Sequence, residues 1–154
     1  MWGGSDRRGF LRLGGGSAAA MALAAARPRN ARAEEPFEID SEHYRLSVVP
    51  VATGLEHPWG LAFLPEGGIL LTERPGRLRF VDPAGGLDPE PLGNTPIVVA
   101  MGQGGLLDVA LHPAFAENRL VYLSYAGGAV GGSYTGLARG RLEPGGLANL
   151  AEIF

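Results

Sequence analysis

Arg77 to Val81 alternates charged and apolar residues, the two-residue period of a strand with one face on a core. Ahead of it lie two short apolar runs, Pro58 to Leu64 and Ile69 to Glu73. Turn residues bound them, Pro65-Glu66-Gly67-Gly68 after the first and Arg74-Pro75-Gly76 after the second. Tyr44 to Thr53 is rich in valine and alternates in places, so it too reads as a strand. Asp82 to Asn94 is a Gly/Pro-rich loop, and Thr95 to Ala100 is placed as the fourth strand of a meander. The pattern then restarts. Gly60 to Pro65 matches Asp108 to Pro113, 48 residues later, and Ile69 to Arg74 matches Leu120 to Tyr125, 51 residues later, after a three-residue insertion. Tyr134 to Leu142 follows as the third strand of the second unit, and Asn149 to Phe154 reads like the start of another strand.

A four-strand unit repeated at about 40–50 residues predicts an all-β chain of β-propeller blades. Two chance meanders in a sandwich would give the same pattern, and two repeats do not exclude them. Two blades do not close a ring, and their open strand edges invite aggregation. The expectation is a chain truncated at its C-terminus that covers about the first two blades.

Composition agrees with many short strands. Hydrophobic residues make up 45% and charged residues 19%, so a packed core is available, and the 25 glycines and 12 prolines supply turns. There is no cysteine, which excludes disulfides, thiolate metal sites and cysteine nucleophiles. All 13 basic residues are arginine, which excludes Schiff-base lysines and a P-loop lysine. The formal charge of −3 hides an asymmetry, since residues 1–33 carry six arginines and one aspartate. The remainder is acidic and holds no basic patch, so nucleic acid is not expected as a partner.

The basic segment reads as an export leader. Arg7-Arg8 precede Phe10-Leu11, an apolar stretch runs from Leu13 to Ala26, and Ala31 and Ala33 are the small residues that a signal peptidase reads. The paired arginines resemble a twin-arginine signal, with an ordinary secretion signal as the alternative. The apolar run is too short for a permanent membrane anchor. The expected partners are the twin-arginine translocase and signal peptidase, and the expected location is the periplasm or the medium. The organisation expected is a signal peptide over 1–33, a flexible acidic segment over 34–43 and a partial propeller over 44–154.

Longer words carry more. Leu55 to Pro65 runs into Leu71-Thr72-Glu73-Arg74-Pro75-Gly76; Gly102-Gln103-Gly104-Gly105-Leu106-Leu107-Asp108 leads to His112-Pro113; and Asn118 to Tyr125 follows. In this order they resemble the soluble aldose sugar dehydrogenases of the glucose/sorbosone dehydrogenase family. The resemblance covers about residues 45–154. It implies a six-bladed periplasmic propeller that binds pyrroloquinoline quinone (PQQ) with calcium. It implies oxidation of the C1 hydroxyl of an aldose to a lactone, a histidine as general base and hydride transfer to PQQ, with electrons passed to a further acceptor. The family places that histidine and most cofactor and calcium ligands in later blades, so no catalytic or metal residue is assigned here and this segment alone is expected to be inactive. The glutamine of the family's Gly-Gln-x-Gly-Leu-Leu word contacts the sugar and falls on Gln103. Ala114 replaces a common aspartate after His-Pro, a change of turn chemistry. A non-catalytic exported propeller that binds a ligand or protein through its rim is the rival reading.

Each candidate also has a plainer role. Gln103 either meets a ligand or pins its Gly-rich turn. The loops at Glu73–Gly76 and at 126–133 are expected to converge with it on one rim. His57 and His112 precede proline and are read as turn or strand-edge residues, and His43 as solvated. Asp108 either reaches a ligand or bonds backbone amides of the preceding turn, which is preferred. Glu73 and Arg74 are read as a rim ion pair, and Trp59 as a buried aromatic between blades. No dinucleotide fingerprint, nucleophile elbow or zincin motif is present.

Overall fold

The computed structural model describes residues 35–129 and 132–154. The leader residues Arg7, Arg8, Ala31 and Ala33 lie outside the described residues. The chain forms antiparallel sheets in sequence order. Strands β1 (Phe37–Asp40) and β2 (Arg45–Val48) make a hairpin. Strands β3 (Pro58–Phe63), β4 (Ile69–Glu73) and β5 (Arg77–Val81) make a three-stranded meander. Strands β6 (Leu106–Leu111), β7 (Leu120–Ala129), β8 (Gly132–Glu143) and β9 (Gly146–Glu152) make a four-stranded one. The meanders are two consecutive propeller blades, and β3 and β6 begin them.

Several expectations are corrected. Residues 37–40, placed in a flexible acidic segment, form β1. Their charges mask an alternation in which Phe37 faces Val48 and Ile39 faces Leu46. Ser41 closes the turn with Tyr44, accepting its N–H at 3.0 Å. Thr95 to Ala100 is not a strand. The fourth place in the first blade is taken by isolated bridges, Leu78 to Leu92 and Val81 to Leu87. Pro89 and Pro91 remove the N–H groups that a full ladder needs there, and Pro96 does the same in the segment expected to pair. Residues 149–152 lie in β9, so the last residues complete the second blade.

The repeat is closer than the sequence offsets suggest. Each blade's first strand carries a bulge at the same place, between Pro58 and Leu61 and between Leu106 and Val109. Phe63 pairs with Ile69 and Leu111 with Val121, so Ile69 answers to Val121 and not to Leu120. The insertion is therefore four residues long, the length of helix α1 (Phe115–Asn118), which plugs the core with Phe115.

One hydrophobic cluster spans both blades. Leu70 and Leu78 of the first meet Leu106, Val121 and Leu123 of the second, all wholly buried, with Ala62 and Phe80 packed beside them. Each such side chain contributes about 1.5–3 kcal/mol of transfer free energy. Polar stitches set the spacing. The Thr72 hydroxyl accepts from the Gly60 N–H at 2.9 Å and donates to the Leu107 carbonyl, which ties β3, β4 and β6 together. Gly60 packs so closely on Asp108 that a β-carbon would sit 2.5 Å from its Oδ1. At the outer edge the Gly93 N–H donates to Gly145 at 2.8 Å and the Leu147 N–H to Gly93 at 3.1 Å.

Candidate functional site

Three segments meet on one rim, as expected: the β4–β5 turn, the loop 99–105, and the end of β7 with the start of β8. Backbone hydrogen bonds join them in series. Arg74 N–H donates to His57 at 3.0 Å, Leu106 N–H to Arg74 at 3.0 Å, Ala126 N–H to Gly105 at 2.8 Å and Val99 N–H to Ala126 at 2.7 Å. The Arg74 guanidinium donates to the Ala100 carbonyl at 3.2 Å. Glycine is required in this loop. Gly105 has φ 138°, and a β-carbon there would collide with the Arg74 carbonyl.

Val99, Met101, Gln103, Gly104, Ala126, Gly132 and Ser133 enclose a cleft of about 520 Å³. Gln103 is exposed within it. The turn around it is closed by backbone alone, Gly104 N–H donating to Met101 at 2.8 Å. Among the described residues the Gln103 amide has no side-chain hydrogen bond, and an amide offers a ligand both a donor and an acceptor.

The other sequence candidates take different places. Glu73 and Arg74 are not partners. Glu73 ends β4, whereas Arg74 opens the turn and sends its guanidinium to Ala100. Glu73 is wholly buried and accepts from Arg77 Nε at 2.6 Å, Arg79 Nη1 at 3.2 Å and the Glu56 N–H. Arg77 also pairs with Glu56 at 2.7 Å. Burial opposes ionisation of Glu73. The hydrogen bonds from Arg77, the Glu56 amide and Arg79 outweigh it and hold the carboxyl below its ordinary value. Arg77 is raised, first by its bond to Glu73. Trp59 is not buried between blades; it is 51% exposed on the uncovered face of β3.

Asp108 accepts from the Val109 N–H at 2.9 Å, so it bonds an amide within β6 and not one in the Gly-rich turn before it. His112 Nδ1 accepts from the Ala114 N–H at 3.0 Å and lies 2.8 Å from the Asn118 amide, where it orders the turn into α1. His57 is a residue before proline with φ 49°, held at the start of β3 by its carbonyl bond to Arg74. His43 is exposed near Glu42.

Two clusters escaped the sequence reading. The Glu73 cluster was signalled by acid and arginine at positions 73, 77 and 79, which share a face of one hairpin. The other joins Tyr125, Tyr134 and Glu152. Tyr125 Oη and Tyr134 Oη both donate to Glu152 Oε2, the second at 3.2 Å. Burial first, and the bond to Glu152 next, push the Tyr125 phenol well above its ordinary range. The signal was a pairing of each tyrosine with a glycine across one hairpin.

Among the described residues no three histidine, aspartate or glutamate side chains converge on a metal-sized space. Arg74 is the one cation hydrogen-bonded to the Gln103 loop among the described residues. Neither calcium nor a quinone with several carboxylates fits these residues alone. No helix among the described residues is long and apolar enough to cross a membrane.

Repeated antiparallel meanders, joined through one core and opening a loop-lined cleft on one rim, define a segment of a β-propeller. A model of the family "Glucose / Sorbosone dehydrogenase" matches residues 55–154, and the chain belongs to that family. A curated protein of Synechocystis without an assigned activity is 46% identical over 124 residues, which are 75% of this chain and 30% of that protein. The aldose sugar dehydrogenase YliI of Escherichia coli is 50% identical over 91 residues, 58% of this chain and 24% of that protein. This chain therefore spans less than a third of either relative. The crystal structure of the soluble aldose sugar dehydrogenase of Escherichia coli superposes with a TM-score of 0.62 at 43% identity, covering 65% of this chain and 30% of that one. The PQQ-bound aldose sugar dehydrogenase of Streptomyces coelicolor gives 0.60 at 33% identity, covering 68% and 31%.

Proposed function

We propose that the complete protein is a periplasmic PQQ-dependent dehydrogenase that oxidises the C1 hydroxyl of aldoses to lactones, with calcium beside the quinone. In this reading Gln103 holds the sugar, and the quinone, the metal and the general base rest on residues beyond this chain. The observation that carries the reading is the Gln103 amide, exposed in its cleft on a turn that closes without it. A neutral amide suits sugar hydroxyls better than the carboxylates of a quinone. The 154-residue segment alone is then inactive.

The test is dye reduction by the complete gene product, with PQQ and calcium, across several aldoses. Turnover is expected, and a folded protein that reduces no dye with any sugar sinks the reading. Gln103→Ala should raise the sugar KM roughly threefold to tenfold, the value of one lost neutral hydrogen bond. Its PQQ affinity, titrated separately, should stay the same. Unchanged sugar kinetics would return Gln103 to a turn role.

Export through the twin-arginine route belongs to the same proposal. Changing Arg7 and Arg8 to lysine should leave the precursor in the cytoplasm. Export and trimming of the double-lysine precursor would assign the leader to general secretion instead.

A further inference from the structure

We infer that Glu152 is a positioning residue for the Gln103 loop and acts on it through Tyr125 and Tyr134. That this loop meets the sugar rests on the function proposed above; the latch itself does not.

The second blade ends in a projecting arm. The last pair between β6 and β7 is Leu106 with Tyr125, and β8 meets β9 first where Ala138 faces Glu152. Beyond those pairs β7 and β8 continue alone, from Ala126 with Thr135 to Ala129 with Gly132. A two-stranded ribbon is marginal on its own in water. The Gln103 loop nevertheless hangs from this ribbon. Ala126 holds both ends of the loop, through Val99 N–H and the Gly105 carbonyl. Gly128 lies under Val99, with room for no β-carbon, which would sit 2.7 Å from Val99 Cγ2.

The three-residue cluster sits at the root of that arm. Tyr125 faces Gly136 across the ladder, and Tyr134 faces Gly127. Each ring lies over the opposite glycine; a β-carbon on Gly136 would be 2.6 Å from Tyr125 Cζ. The glycine windows let the Tyr125 phenol pass over β8 and reach Glu152 on β9. Tyr134 donates to the same oxygen, and the two rings meet edge to face at 6.3 Å. One carboxylate thus ties β7, β8 and β9 together one residue from the Ala126 clamp. Glu152 is itself exposed in this chain, and its carboxylate is held by the two phenols.

The experiment compares Glu152→Ala, Glu152→Gln and Tyr134→Phe with wild type in the complete gene product. Amide hydrogen exchange at Val99 and Ala126 should speed up about tenfold or more in Glu152→Ala, the scale of a lost bond to a charged acceptor. Amides of Leu70 to Thr72 should not change. Glu152→Gln keeps an acceptor oxygen and should recover most of the protection, and Tyr134→Phe should show a smaller loss. In sugar turnover, Glu152→Ala should raise KM several-fold with kcat affected less. Wild-type exchange at Val99 and Ala126 in Glu152→Ala overturns the latch. Faster exchange with an unchanged KM overturns the positioning role. If the wild type turns over no sugar, the proposed function fails and exchange alone decides the latch. If Glu152→Ala does not fold, Tyr134→Phe decides by the same readout.

Discussion

The two faces of the β3–β5 meander are built from similar residues and meet different fates. The face toward the second blade carries Ala62, Leu70, Thr72, Leu78 and Phe80, and the next blade buries it. The opposite face carries Trp59, Leu61 and Phe63, which are 51%, 51% and 71% exposed. On the same face Leu71 and Val81 are buried further along the sheet, and the corner near the rim is closed ionically: Glu73 beneath Arg77 and Arg79. The contrast teaches that a blade is amphipathic only in company. Its apolar content suits two neighbours, and this chain supplies one. An exposed apolar strip of this kind marks a surface that packs on something else, in keeping with a chain that spans 30% of the Synechocystis relative.

The largest expected effect breaks the ionic corner. Glu73→Ala strips a buried anion from two arginines and should destabilise the complete protein by about 3–5 kcal/mol in denaturant titration. A loss below about 1 kcal/mol, the scale of a surface pair, would place the cluster in solvent. Acid probes the same corner. The folded Glu73 carboxyl lies below its ordinary value of 4.5, so its contribution is complete above that pH and fades as pH falls through the lowered value. Glu73→Gln should flatten the acid limb of the stability curve, and an unchanged limb would refute the assignment.

A paired substitution sharpens the comparison of faces. Leu78→Ala on the covered face should cost about 2–5 kcal/mol. Leu61→Ala should cost within about 0.5 kcal/mol if its face stays open in the complete protein, and several times that if another blade covers it. Melting curves of the two variants decide which.

Much of this was legible from pattern. Ile69 to Glu73, read as an apolar run between turns, and Arg77 to Val81, read by alternation, have the strand bounds expected, and the repeat located β6. What failed did so for physical reasons. Glu73 beside Arg74 looks like a pair in one dimension, yet Arg74 leaves the strand into the turn and the hairpin register brings Arg77 opposite Glu73. Thr95 to Ala100 has strand-like composition, but the fourth place along β5 was already held by the bridging residues Leu87 and Leu92. Trp59 was assigned to a core that a single neighbouring blade does not complete. For the site, the rim convergence of three loops was readable from blade topology. The Tyr125–Glu152 contact was not, because it depends on the register that sets each tyrosine over a glycine.

Gly60 and Gly146 sit at the two ends of one wedge. At the inner end Gly60 lies against Asp108, where an added β-carbon would be 2.9 Å from its Cα. At the outer end Gly146 lies against Gly93, where it would be 2.5 Å from the carbonyl oxygen. Backbone contact at both ends sets the angle between successive sheets. Repeated around an axis, that angle is a curvature, and curvature decides how many sheets return to the starting point. Bulk at position 60 would force the narrow end apart and bring the sheets nearer to parallel, toward a wider ring. Bulk at position 146 would splay the broad end, toward a tighter one.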